Sequence, residues 1–179
     1  MGATVRESTD TSARWVRDAM DFEPDLIVFP EMMLTGFDSH LHDLFGRRDW
    51  YSDVEEAFRS ISDVVAEVGA TVLIGAPYRT EKGAFNALIL FNGTGEPKVA
   101  GARSFISGGE KTVWGFVETV DRFPIEIDEI RVGSVFCSEA SFIDRIQGLG
   151  LEHSEIIVWP CATIVNGALS VVRIYAARR

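Results

Sequence analysis

Asp25-Leu26-Ile27-Val28-Phe29-Pro30-Glu31 is an apolar run of strand character that ends on a proline and a carboxylate. Much further along, Val132-Gly133-Ser134-Val135-Phe136 runs the same way into Cys137. Acid and thiol therefore each stand where a strand gives way to whatever follows, the place where parallel-sheet proteins keep their reacting groups. A carboxylate there suits a general base, and a thiol suits a nucleophile.

Around these two segments the chain alternates helix and strand. Thr9, Asp10 or Thr11 can cap a first helix in which Ala13, Val16, Ala19 and Met20 recur at helical spacing, and Pro24 separates it from a strand over 25–29. Asp53 can cap a second helix with Val54, Ala57, Phe58, Ile61, Val64, Val65 and Val68 on one stripe, stopped by Gly69. The strand 71–74 follows. Phe85–Phe91 and Lys98–Ala102, divided by the turn residues Asn92, Gly93 and Gly95, read as antiparallel neighbours. Residues 103–112, with Gly108-Gly109, read as an exposed loop, and 113–119 and 125–127 as strands. Ser138–Leu149 suits a helix, Ile156–Trp159 a strand ended by Pro160, and 164–177 is mixed, with Arg178-Arg179 suited to a helix C-terminus. Helix–strand units at both ends with antiparallel strands between them predict a mixed-sheet α/β protein, one domain over 1–179.

Composition narrows the function classes. The formal net charge of −10, from 27 acidic against 17 basic residues, opposes a nucleic-acid surface. No apolar stretch approaches 18 residues, so no membrane span is expected. The N-terminus lacks the pattern of a secretory signal, so a cytoplasmic location is expected. Cys137 and Cys161 make no disulfide framework, and with His40, His42 and His153 they show no structural-zinc spacing. The histidines near Asp38 and Asp43 read as surface loop, and Asn92-Gly93-Thr94 as a turn.

Each reacting group has a plainer reading. A carboxylate at Glu31 can equally bind backbone N–H groups to shape a turn, and cysteine often serves as a small buried hydrophobe. Ser138-Glu139 and the expected helix start favour the reactive reading, because a helix N-terminus stabilises a thiolate and offers N–H groups to an oxyanion. A phosphatase cradle would need arginine six residues after the cysteine, where Ile143 stands. A dinucleotide-binding turn would need glycines in place of Pro30-Glu31-Met32-Met33.

Asp25–Glu31, with Leu34-Thr35-Gly36-Phe37 beyond it, resembles the first catalytic motif of the nitrilase superfamily, the carbon-nitrogen hydrolases. Cys137-Ser138-Glu139 with Phe142 resembles the family's nucleophile motif. The resemblance implies an α-β-β-α sandwich with mixed sheets, incomplete here at its N- and C-terminal ends, and a homodimer or larger homo-oligomer. It assigns Glu31 as general base and Cys137 as the residue acylated. The family's oxyanion lysine falls on Arg103, with Lys111 as the alternative occupant, and Glu110 takes the role of the second glutamate. The implied reaction is hydrolysis of a small amide or nitrile, with no metal or organic cofactor. The arginine, a planar fork in place of a compact ammonium, keeps open a second class: a non-catalytic nitrilase-fold protein that binds a partner or small molecule. Phe37, Trp114, Trp159, Cys161 and Thr163 are candidates either for the pocket wall or for core and interface.

Overall fold

In this computed structural model the described residues are 4–36, 43–119, 122–142, 144, 150–162 and the short strands 164–165, 168–169 and 173–176. Helix α1 (Val5–Ala19) leads through a short 3-10 turn to β1 (Ile27–Val28). Helix α2 (Trp50–Val68), β2 (Val72–Thr80), β3 (Gly83–Phe91), β4 (Lys98–Ala102) and helix α3 (Gly108–Trp114) follow. Then come β5 (Ile125–Ile127), β6 (Ile130–Ser134), 3-10 turns at Cys137–Ser141 and Leu151–His153, β7 (Ile156–Trp159), and the short strands β8 (Ile164–Val165), β9 (Ala168–Leu169) and β10 (Arg173–Ala176). Among the described residues no helix is long and apolar enough to cross a membrane.

Two four-stranded sheets are mixed, as the alternation predicts. One runs β1-β2-β3-β4, with β1 parallel to β2 and the rest antiparallel. The other runs β10-β7-β6-β5, with β6 parallel to β7 between two antiparallel pairs. The period-2 alternation of β2 divides its side chains between two cores. Val72, Ile74 and Ala76 join Val16, Val54, Ile61 and Val65 beneath the helices. Leu73 joins Leu88, Ala100, Val132, Phe136 and Val158 between the sheets. The strand ends bearing the reacting groups are thereby carried to one place. Gly101 permits the close approach, since a Cβ there would run into Ser134 Oγ.

Several boundaries differ from expectation, each for a local reason. Helix α1 starts at Thr4, whose Oγ1 accepts from Glu7 N–H, five residues before Thr9. Thr9 and Ser12 lie buried within it because their hydroxyls donate to the carbonyls of Val5 and Ser8. Helix α2 begins three residues before Asp53, which pairs instead with Arg47. Residues 103–112 are no exposed loop: Arg103 and Ser104 are buried, and a reciprocal capping box between Ser107 and Glu110 nucleates α3 despite its two glycines. Gly115, at φ 65°, ends that helix, so 113–119 forms only a single bridge, Ala84 to Phe116. After Cys137 the described chain makes a 3-10 turn, and most of the helix expected to Leu149 lies outside the described residues. Within 164–177 the described pieces are strands. Phe37, His40, His42, Thr163 and Arg178-Arg179 fall outside the described residues.

Candidate active site

Glu31 follows β1 in a turn laid directly across β2. Gly75 makes that possible, because a Cβ there would strike the backbone of Pro30, Glu31 and Met32. The amide of Leu34 donates to the Gly75 carbonyl at 3.2 Å, tying the turn down. Met32 takes φ 54° to complete it, and Cys137 sits at φ 40° after β6. Both segments thus carry a side-chain-bearing residue in left-handed backbone, a conformation that costs of order 1–3 kcal/mol and persists only where surrounding contacts impose it.

At Cys137 those contacts come from the end of β7. The Cys137 N–H donates to the Pro160 carbonyl at 2.9 Å, and Trp159 Nε1–H donates to the Cys137 carbonyl at 2.8 Å. The parallel pairing of β6 with β7 sets the two segments side by side.

The Glu31 carboxylate is 1% exposed. Its Oε1 accepts from Asn86 Nδ2 at 2.7 Å and from Arg103 Nη1 at 3.2 Å, and its Oε2 from the Ala162 N–H at 3.2 Å. Arg103 Nη1 also bonds Glu110 Oε1 at 2.7 Å, while Nη2 donates to Ser138 Oγ at 2.6 Å and Nε to the Phe105 carbonyl at 3.0 Å. Four of the guanidinium's five N–H donors are so occupied, and a hydrogen on Nη2 remains. Glu110 Oε2 accepts from Ser107 N–H in the capping box, so α3 and Arg103 are fixed by one carboxylate. Lys111 lies outside this cluster, paired with Glu118 at 2.9 Å.

A second buried pair braces the first. Glu139 Oε1 accepts from the backbone N–H groups of Ser104 and Phe105, and Oε2 from Phe136 N–H and Arg122 Nη1. It therefore ties the segment after Arg103 to the turn that carries Cys137.

Electrostatics divides one proton between acid and thiol. Burial, and then the neighbouring Cys137 anion, push Glu31 up to about 8, against the opposing pull of Arg103, Asn86 and Ala162. Cys137 is brought down to about 5, first by a hydrogen bond from Cys161 and then by Ala162 N–H, Arg103 and Glu31, against desolvation. Cys161 is driven well above the ordinary thiol range by that same hydrogen bond, by burial, and by the charges of Cys137 and Glu31. Near neutrality the pair exists as a thiolate beside a protonated carboxyl. Cys161, the Ala162 N–H and Arg103 thus do what the sequence suggested a helix N-terminus would do.

These groups line a cavity of about 370 Å³ whose wall includes Glu31, Arg103, Glu110, Trp114, Cys137 and Ala162. The structure brings Glu31, Arg103, Glu110 and Cys137 together there. Sequence reasoning passed over Asn86, Ser138 as an arginine partner, Arg122, and the Ala162 N–H. Asn86 left a signal, as the one polar side chain in the apolar strand Phe85–Phe91. A backbone donor such as Ala162 leaves none. Among the described residues no cluster of His, Cys, Asp and Glu could hold a metal ion.

Known proteins share this arrangement of strands and helices. A Pseudomonas protegens protein described as "hydrolase in pqqF 5′ region" is 28% identical over 145 residues, 80% of this chain and 50% of the relative. The chain thus spans about half the length of that relative. Among solved structures, an amidase from Nesterenkonia sp. superimposes at a TM-score of 0.76 with 12% identity, over 91% of this chain and 63% of that one. Its structure is that of a glutamate-to-glutamine mutant with acrylamide added to the active site cysteine. A carbon-nitrogen hydrolase from Helicobacter pylori gives 0.70 with 15% identity, over 89% and 56% of the two chains. The glutamine-dependent NAD+ synthetase of Acinetobacter baumannii gives 0.74 with 17% identity, over 90% and 30%. The carbon-nitrogen hydrolase family model matches residues 5–175, and on that match this chain belongs to the carbon-nitrogen hydrolases of the nitrilase superfamily.

Proposed function

We propose that the chain carries the reactive centre of a cysteine-dependent hydrolase acting on a non-peptide carbon–nitrogen bond, most simply that of a small amide. The observation that supports this best is the meeting of Glu31, Arg103 and Cys137 at the wall of one cavity of small-molecule size, where the charges of acid and thiol act on one another. In this reading Glu31 already holds the proton of Cys137. The thiolate attacks the amide carbon, and the remaining Nη2 hydrogen of Arg103, with a backbone N–H of the Cys137 turn, receives the oxyanion. The C–N bond breaks as Glu31 returns its proton to the departing ammonia or amine. Glu31, now a carboxylate, takes a proton from water, and the hydroxide releases the acid from the thioester. Glu110 acts through Arg103 as a positioning residue.

Acrylamide, which adds to the cysteine of the Nesterenkonia amidase variant, is a suitable probe. Labelling of Cys137, read by mass spectrometry across pH, should persist down to about pH 5, following its lowered value. A Cys137 that reacts only near the ordinary thiol range, about 8.5, would overturn the reading. In that case the alternative, a binding protein on the same fold, is the one to pursue.

A further inference from the structure

The hydrolytic scheme leaves one reactive side chain without a task. Cys161 is buried, and the parallel register of β6 and β7, continued by the Cys137 N–H bond to the Pro160 carbonyl, sets it beside Cys137, whose thiol it helps to lower. The contact is built by backbone: Cys137 N–H bonds the carbonyl of the residue just before Cys161, and Trp159 Nε1 returns a bond to the Cys137 carbonyl. Adjacent backbones joined in this way lie roughly 5 Å apart. Disulfides bridge Cα separations of about 4.4–6.8 Å. The backbone separation at this register is therefore one that a disulfide spans.

We propose that Cys137 and Cys161 are a redox modification site, forming a reversible disulfide when the protein meets a hydroperoxide. The Cys137 thiolate attacks the outer peroxide oxygen. The O–O bond breaks, the sulfur becomes a sulfenic acid, and the departing alkoxide or hydroxide takes a proton from solvent and leaves as alcohol or water. The Cys161 sulfur then displaces the sulfenic oxygen as water, the Cys161 proton completing that water, and the S–S bond forms. Two thiols are oxidised and one peroxide is reduced. The bridge takes the Cys137 sulfur out of reaction and guards it against further, irreversible oxidation. A thiol reductant restores it. The inference goes beyond the proposed hydrolysis and draws from it only the thiolate character of Cys137.

The chain is suited to a direct chemical test, because trypsin cleavage at Arg131, Arg145 and Arg173 puts the two cysteines on separate peptides, 132–145 and 146–173. Full-length protein is treated with hydrogen peroxide, blocked with iodoacetamide, digested and weighed. The expected product is the linked pair of peptides, two hydrogens lighter than their sum, within monomers on a non-reducing gel, and lost on treatment with dithiothreitol. In Cys161→Ser, sulfinic acid at Cys137 should accumulate about tenfold faster than in wild type. Wild-type protein that goes to Cys137 sulfinic acid without the linked pair overturns the inference. So does a link found only between chains, or two cysteines that stay reduced. A linked pair in protein without amidase activity would sink the hydrolase reading alone, and activity without the link would sink this one alone.

Discussion

Arg103 Nη1 stands 3.2 Å from Oε1 of Glu31, a contact between two side chains that are almost entirely buried. The arginine lowers the affinity of both Glu31 and Cys137 for the proton they divide. Its removal should therefore move both limbs of a pH–rate profile upward. Arg103→Lys keeps the charge, so the limbs should stay near their wild-type positions. It loses the bonds to Ser138 and Phe105, and kcat should fall by about 10²–10³ if the oxyanion donor is displaced. Arg103→Ala should shift the limbs and leave the buried Glu110 carboxylate without its partner, at a cost of about 3–5 kcal/mol. Rate profiles and denaturation midpoints on the two variants separate charge from geometry. Unmoved limbs in the alanine variant would remove Arg103 from the electrostatics of the site.

Glu31→Gln separates thiolate formation from proton delivery. An amide can still donate to the sulfur anion, so acrylamide labelling of Cys137 at pH 6 should remain close to wild type. It cannot return a proton to the leaving nitrogen or activate water. Turnover should drop by about 10²–10⁴. Equal losses in labelling and turnover would mean that Glu31 creates the thiolate rather than using it.

The paired titrations predict how stability depends on pH. Cys137, lowered in the folded state to about 5, contributes stability that is present above its unfolded value and lost as pH falls through 5. Glu31, raised to about 8, works in the opposite sense: its contribution is full below its unfolded value, about 4.3, and lost as pH rises through 8. Between about pH 5 and 8 the two slopes oppose one another in wild type. Cys137→Ser removes the first and, with the anion gone, narrows the second, although burial still raises Glu31. Urea midpoints of this variant should fall relative to wild type as pH rises from 5 to 7. A parallel pair of curves would refute the division of the proton.

Glu139→Gln tests the brace between the Arg103 and Cys137 segments. The variant leaves Arg122, whose side chain is 1% exposed, without its carboxylate partner. Breaking such a buried pair should cost about 3–5 kcal/mol. A loss below 1 kcal/mol in chemical denaturation would show that Arg122 finds another partner.

The two strand ends were legible in the sequence because a proline and a carboxylate, or a thiol, stop otherwise apolar runs; β3 and β4 were legible because turn residues divide them. What escaped depends on contacts distant in sequence. Helix α3 looked like a loop because Gly108 and Gly109 have poor helix propensity, while the Ser107–Glu110 box and the Arg103 pair that hold it are tertiary facts. Thr9 looked like a cap, yet its hydroxyl is satisfied inside α1. The reacting pair's composition could be read; its proton balance could not, because Cys161 and Ala162 reach it only when β6 and β7 lie parallel.

Ala162 lines the cavity, while its contribution to Glu31 and Cys137 comes from the main chain. A backbone N–H is indifferent to the side chain attached to it, so variation at this position is decoupled from the chemistry beside it. Larger residues at 162 should change which probes fit while the pH midpoint of Cys137 labelling stays in place. Proline, which has no N–H to donate, is the exception. A lineage carrying this site can thus retune what it admits by single substitutions at 162 and inherit its proton balance unchanged.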